Sequence, residues 1–162
     1  MPGAGAIILK IEGVEGDCSV KGHEGQIDIM SSSWGASNPT SVVHGGGSGT
    51  STGTIHDLSL VKRVDASSPE LFSKVMLGTH FDSATLFVRK VTGDTDLDYM
   101  QYEMTHVFIT SVNQSCAPDQ HGMESVSLSY EKFKQIYTPQ NTDGSPGSAK
   151  ECGWDVLAAV KM

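Results

Sequence analysis

The side chains best suited to proton transfer or metal binding are six histidines, His23, His44, His56, His80, His106 and His121. Imidazole titrates near neutrality and is the commonest metal-ligating group. None of the six stands from another at the spacing that puts two ligands on one helix or strand. Cys116, Asp119 and His121 come nearest to a cluster, but they fall in a turn-rich stretch with Pro118 and Gly122 that reads as solvated loop. His56 and Asp57 are adjacent, and adjacent strand residues point to opposite faces, which separates a base from its acid.

The run His44-Gly45-Gly46-Gly47-Ser48-Gly49-Thr50 has the composition of a phosphate cradle. No lysine follows its last glycine, and the dinucleotide-binding spacing is absent. There is no G-x-S-x-G elbow to expose a serine nucleophile. Cys18, Cys116 and Cys152 are odd in number, widely spaced and without a CxxC pair, so free thiols are expected rather than a disulfide framework or zinc knuckle. Asn113-Gln114-Ser115 fits the glycosylation pattern, but that pattern is short and needs passage through a secretory lumen. The expectation is a chain with no catalytic residue, no metal and no cofactor.

Stepping from side chains to the whole, 162 residues with 38% apolar and 19% charged content suit one well-buried domain over residues 1–162. The net charge of -8 comes from scattered acids, such as Asp94-Thr95-Asp96-Leu97-Asp98, with no basic stretch to neutralise phosphates. Nucleic acid is therefore not an expected partner. Met1 to Ala6 lack the basic and apolar regions of a secretory signal, and no later apolar run is long enough for a bilayer. The chain is expected to be made in the cytoplasm, without Sec export or membrane insertion.

The positioning elements are mostly strands. Ile7, Leu9 and Ile11 alternate, and so do Ile27 and Ile29, after which Met30 and Trp34 fall on the other parity; a β-bulge near Met30 to Ser32 would switch the face. Thr54 to Val64, Ala84 to Val91, Tyr99 to Val112, Val126 to Tyr137 and Trp154 to Val160 bring the expectation to seven or eight strands, with Tyr102, Met104, Phe108 and Val112 on one face. Ser67-Ser68-Pro69-Glu70 has the form of a capping box. The helix it opens places Leu71, Phe72, Val75 and Met76 on one face and ends at Gly78. Long loops at Gly35 to Gly53 and Thr138 to Lys150 complete a mainly β chain: a β-barrel of two packed antiparallel sheets with one short flanking α-helix and a long extended loop. Trp34 and Trp154, with Leu71 and Phe72, are expected as core residues or interface anchors.

Several blocks in order then carry a resemblance. They are Ile11-Glu12-Gly13-Val14-Glu15-Gly16, Ser33-Trp34-Gly35, the glycine run at His44, His56-Asp57-Leu58-Ser59, Asp65-Ala66-Ser67-Ser68-Pro69-Glu70-Leu71 and Gly78-Thr79-His80-Phe81. Val107 to Val112, Glu124 to Leu128, Tyr137-Thr138-Pro139-Gln140 and Gly153-Trp154-Asp155 follow. Over nearly its whole length the chain resembles the haemolysin-coregulated proteins, Hcp, tube subunits of the type VI secretion system. The resemblance implies hexameric rings stacked into a hollow tube inside a contractile sheath and tipped by a spike of the VgrG type. Small secreted effectors are the implied cargo, and the chain itself is implied to be a secreted product.

If the family arrangement holds, Ser33 lines the tube. Ser41, Val42, Val43, His44, Gly45, Gly46, Gly47, Ser48 and Gly49 have little side-chain bulk, so the loop can lie against another backbone and is expected to contact a neighbouring protomer or ring. The competing class is a monomeric small-molecule-binding β-barrel with the glycine-rich loop as its lid.

Overall fold

Alternating apolar residues become the inward face of a strongly curled antiparallel sheet. The computed structural model describes residues 5–39, 52–92 and 95–162. In chain order its elements are β1 (Ala6–Ile11), β2 (Ile27–Ile29), β3 (Ser31–Ser33), β4 (Ala36–Ser37), β5 (Thr54–Ile55), β6 (Leu58–Arg63), α1 (Ser68–Leu77), β7 (His80–Thr92), β8 (Thr95–Ser115), β9 (Met123–Tyr137), β10 (Lys150–Asp155) and β11 (Val160–Lys161).

β1 pairs with β2 on one side and β7 on the other, β7 continues to β8, and β8 to β9. The first part of β9 carries β6, its later part carries β10, and β11 lies outside β10. β3 pairs with β6, and between β2 and β3 the Met30 N–H donates to the Val61 carbonyl at 2.7 Å. The strands therefore wrap around one core, with the step from β2 to β3 made along the chain. β4 and β5 form a separate two-stranded sheet. This is the barrel-like, two-sheet, one-helix architecture that the sequence implies.

Glycine chemistry closes the loop after β1. A Cβ on Gly16 would lie 2.4 Å from the Gln26 carbonyl oxygen, a distance no side chain tolerates. The backbone there is drawn in by the Gly16 N–H bond to Gly25 and the Cys18 N–H bond to Gln26.

The core joins Leu9, Ile11, Ile27, Leu58, Leu60, Leu86, Met104, Val126 and Leu128 from the strands to Leu71 from α1. Two inward positions of this same alternation are charged. On β6 the buried series is Leu58, Leu60, Lys62, and on β9 it is Glu124, Val126, Leu128, Tyr130. Lys62 and Glu124 face each other in register, and both side chains are 0% exposed. The Lys62 ammonium donates to Glu124 Oε1 at 2.5 Å, Asp65 Oδ1 at 3.0 Å, Ser68 Oγ at 3.3 Å and the Arg63 carbonyl at 2.9 Å. Ser68 donates to Glu124 Oε1, and Gln114 of β8 donates to Glu124 Oε2, each at 2.9 Å.

That network corrects the expected capping box. Ser67 has helical dihedrals (φ -77°, ψ -20°) and makes no side-chain cap; its hydroxyl donates to Asp65 instead, while Ser68 serves the buried pair. Gly78 does end the helix in the left-handed conformation (φ 66°), its N–H bonded to the Lys74 carbonyl. The expected four-residue apolar face is narrower. Leu71 is buried and Val75 packs on the core, but Phe72 and Met76 are 46% and 76% exposed, because a lone helix lying on a barrel buries only the stripe that meets the strands.

Three strand expectations also change: Thr54 to Val64 is broken at His56 and Asp57 into β5 and β6, which lie in different sheets. Trp154 to Val160 is not one strand: β10 ends at Asp155, a turn follows, and β11 pairs back on it. Phe108 does not share a face with Met104, since Val107 and Ile109 are buried and Phe108 is 40% exposed. The inward face steps from Phe81 to Ala84 on β7, from Met104 to Val107 on β8 and from Tyr130 to Phe133 on β9. The step lies along one line across the sheet, Asp82, His106, Glu131, where His106 has φ 52°. A local twist of this kind turns an extra residue outward on each strand and bends the sheet.

Leaving one member of a buried ion pair alone is costly. Glu124→Leu is expected to lower unfolding free energy by about 3–5 kcal/mol, and the double change with Lys62→Met to recover most of that, as measured by urea denaturation. A loss below about 1 kcal/mol for Glu124→Leu would show that the network is not what holds α1 to the barrel.

Candidate functional site

The expected contact residues Ser41, Val42, Val43, His44, Gly45, Gly46, Gly47, Ser48 and Gly49 lie outside the described residues. The base from which that loop springs is described, and it is anchored from the core outward. Trp34 packs edge-on against Tyr102 (4.8 Å), Phe133 (5.1 Å) and Tyr130 (6.0 Å) between ring centres. Its indole N–H donates to the Tyr130 hydroxyl, and that hydroxyl donates to the His56 carbonyl at 3.1 Å. Burial holds the Tyr130 phenol far above its ordinary pKa, so it stays a neutral donor.

Beyond Trp34 the two sides of the loop pair as β4 and β5, Ala36 with Ile55 and Ser37 with Thr54. The His56 N–H donates to the Gly35 carbonyl at 2.9 Å, and the His56 ring meets Ser37 Oγ at 3.1 Å. Asp57 instead accepts from Thr110 Oγ1 at 2.9 Å. His56 and Asp57, in the short link between β5 and β6, thus serve different partners.

Between this small sheet and β10–β11 runs an open groove of about 510 Å³, lined by Ala36, Gly53, Ile55, Phe133, Trp154 and Val156 among others. Trp154 pairs with Phe133 and is only part-buried. Leu157, Val160 and Met162 stand exposed beyond it, and β11 ends the sheet with its outer edge unpaired among the described strands. A sheet edge beside an apolar groove is a surface for contact with another chain rather than for bond chemistry.

Ser33 sits exposed on β3 opposite Ser59. On α1, Leu71 points into the core while Phe72 points outward. The Cys116, Asp119, His121 segment is not drawn together as a ligand set: the His121 ring donates to the Val64 carbonyl at 2.6 Å. Among the described residues no group of three or more histidine, cysteine, aspartate or glutamate side chains is placed to hold a metal ion.

Two features escaped sequence reasoning. The Lys62–Glu124 pair was signalled by a lysine and a glutamate each continuing the inward parity of a strand. The groove was not, because it joins residues far apart in the chain. The acidic run near Asp98 is also paired: Arg89 meets Asp98 at 3.0 Å and Asp96 at 3.5 Å, and His23 meets Asp98 at 3.3 Å.

The chain is similar to known proteins over nearly its whole length. A family model described as type VI secretion system effector, Hcp, matches residues 8–137. Protein hcp1 of Pseudomonas aeruginosa PAO1 is 31% identical over 157 residues, covering 96% of this chain and 97% of that protein. Among solved structures, a type six secretion system protein superposes with a TM-score of 0.91 at 25% identity, covering 98% of this chain and 100% of the other. Hcp1 from Salmonella typhimurium follows at 0.79 and 28%, covering 98% and 99%.

Two outcomes are expected from the site. Tyr130→Phe, which strands the Trp34 indole N–H and the His56 carbonyl, costs about 1–3 kcal/mol in thermal or chemical unfolding. In the folded protein at pH 8, a maleimide labels Cys116 and Cys152, which are exposed, while Cys18 stays unlabelled, because burial raises its thiol pKa and blocks access. Peptide mass mapping that finds Cys18 labelled as fast as the others would contradict the packing described.

Proposed function

Because the chain belongs to the Hcp family of type VI secretion system proteins, we propose that it is a structural subunit of the system's inner tube. Six copies close into a ring, rings stack into a hollow tube, and sheath contraction expels the tube behind a spike of the VgrG type. The chain is assembled in the cytoplasm and then leaves as a secreted product, carrying small effectors in the ring's lumen. It has no catalytic role of its own.

The observation that carries this reading is the match over the full length of both chains, with a TM-score of 0.91 to a type six secretion system protein. The surface supports it. A ring needs one patch to meet a different patch on the next copy, and the chain offers an open β11 edge with an apolar groove on one element set and the outward Phe72, Met76 and Leu77 on α1. Ser33 faces the lumen, and residues 41–49 contact the next protomer or ring.

The competing small-molecule-binding barrel needs a hollow interior. Here Leu9, Leu60, Leu86, Met104 and Leu128 fill it, all 2% exposed or less. Native mass spectrometry decides between the two: six times 17.2 kDa is expected, and a 17.2 kDa monomer at high concentration overturns the tube reading. Deleting residues 41–51 is expected to leave rings but abolish stacked tubes in negative-stain images. Undiminished tubes would remove the loop from the stacking contact.

A further inference from the structure

Opposite the core, on the outer face of β7 and β8, two imidazoles stand side by side. His80 and His106 have ring centres 4.5 Å apart with planes tilted by 39°. Sequence spacing hides the pair, since 26 positions separate them. The register brings them together: His80 pairs with Phe108, and His106 lies two residues along the same strand, the diagonal neighbour on one face. The φ of 52° at His106 belongs to the bend line that turns this residue outward.

We propose that His80 and His106 form a binding site for a divalent transition-metal ion of the nickel or copper type. A metal ~2.1 Å from one nitrogen of each ring, with the two bonds at a right angle, sets ring centres about 4.5 Å apart, whereas a tetrahedral angle spreads them to about 5 Å. The observed separation of 4.5 Å is short enough for one ion to reach a nitrogen of each ring. The pair supplies two donors, and water or a small chelate completes the shell.

The surroundings are those of a ligand histidine. Glu131 Oε2 lies 2.8 Å from His106 Nδ1, which makes Nδ1 the N–H donor and leaves Nε2 with its lone pair free. A carboxylate in that place orients the ring. Phe108 packs against the His80 ring at 5.6 Å between centres, and Asp82 Oδ1 lies 3.7 Å from His80 Nε2, adding negative charge where a cation would sit. Both rings are open to solvent, with side chains 42% and 50% exposed, so the ion has an entry path.

Nickel chloride titrated into the tag-free full chain at pH 7.5, followed by calorimetry, tests the site. Expected is saturable uptake of one ion per chain, abolished by His80→Gln, weakened about tenfold by Glu131→Gln and unchanged by His121→Gln. His106→Asn, which tolerates a positive φ, is expected to behave as His80→Gln does. Should that variant fail to fold by circular dichroism, His80→Gln at an ordinary strand position carries the test. No saturable uptake by the native chain, or uptake that His80→Gln leaves intact, overturns the proposal.

Discussion

A lysine and a glutamate, both wholly out of water, hold the barrel to its helix. Taking an ammonium and a carboxylate out of solvent is expensive, and the expense is offset only when each finds several partners in good geometry. Lys62 and Glu124 meet that condition through Asp65, Ser68, Gln114 and the Arg63 carbonyl. Those partners come from β6, β8, the turn before α1 and α1 itself, so the charges settle how four elements meet. Asp65, a member of this network, takes the Ser67 hydroxyl that would otherwise have capped the helix. The helix therefore opens without a capping box.

The opposite end of the barrel is organised by aromatic packing. Trp34, Tyr102, Tyr130 and Phe133 interlock, and two hydrogen bonds carry that order from Trp34 through Tyr130 to the His56 backbone. A loop of small polar residues supplies little apolar area to fix its own position. Here its base is fixed from below, by rings that belong to the core. The apolar groove beside that base follows from the same arrangement, since the β4–β5 sheet stands apart from the main one and leaves Trp154 and Phe133 partly open.

In this member of the Hcp family these two ends divide the labour. The interior is filled by buried apolar side chains, while apolar groove, sheet edge and outward helix residues stand exposed at the surface. Exposed apolar surfaces of this kind persist only if they do not collapse inward. The buried charges and the aromatic cluster prevent that by locking the residues adjacent to them.

Most of the strands, the helix with its glycine stop, and the family itself were determined by the sequence, because each rests on local periodicity, local turn chemistry or short blocks in order. Parity along β1 and β2 was legible for the same reason. The tertiary structure alone decided where that parity fails. The step across Asp82, His106 and Glu131 is a bend shared by three strands, and no single strand's pattern contains it, which is why Phe108 fell on the wrong face. Likewise Lys62 and Glu124, or His80 and His106, become partners only through strand register, a relation between positions far apart in the chain. Residue types and their order could name the parts, but only the pairing of distant strands could say which of them touch.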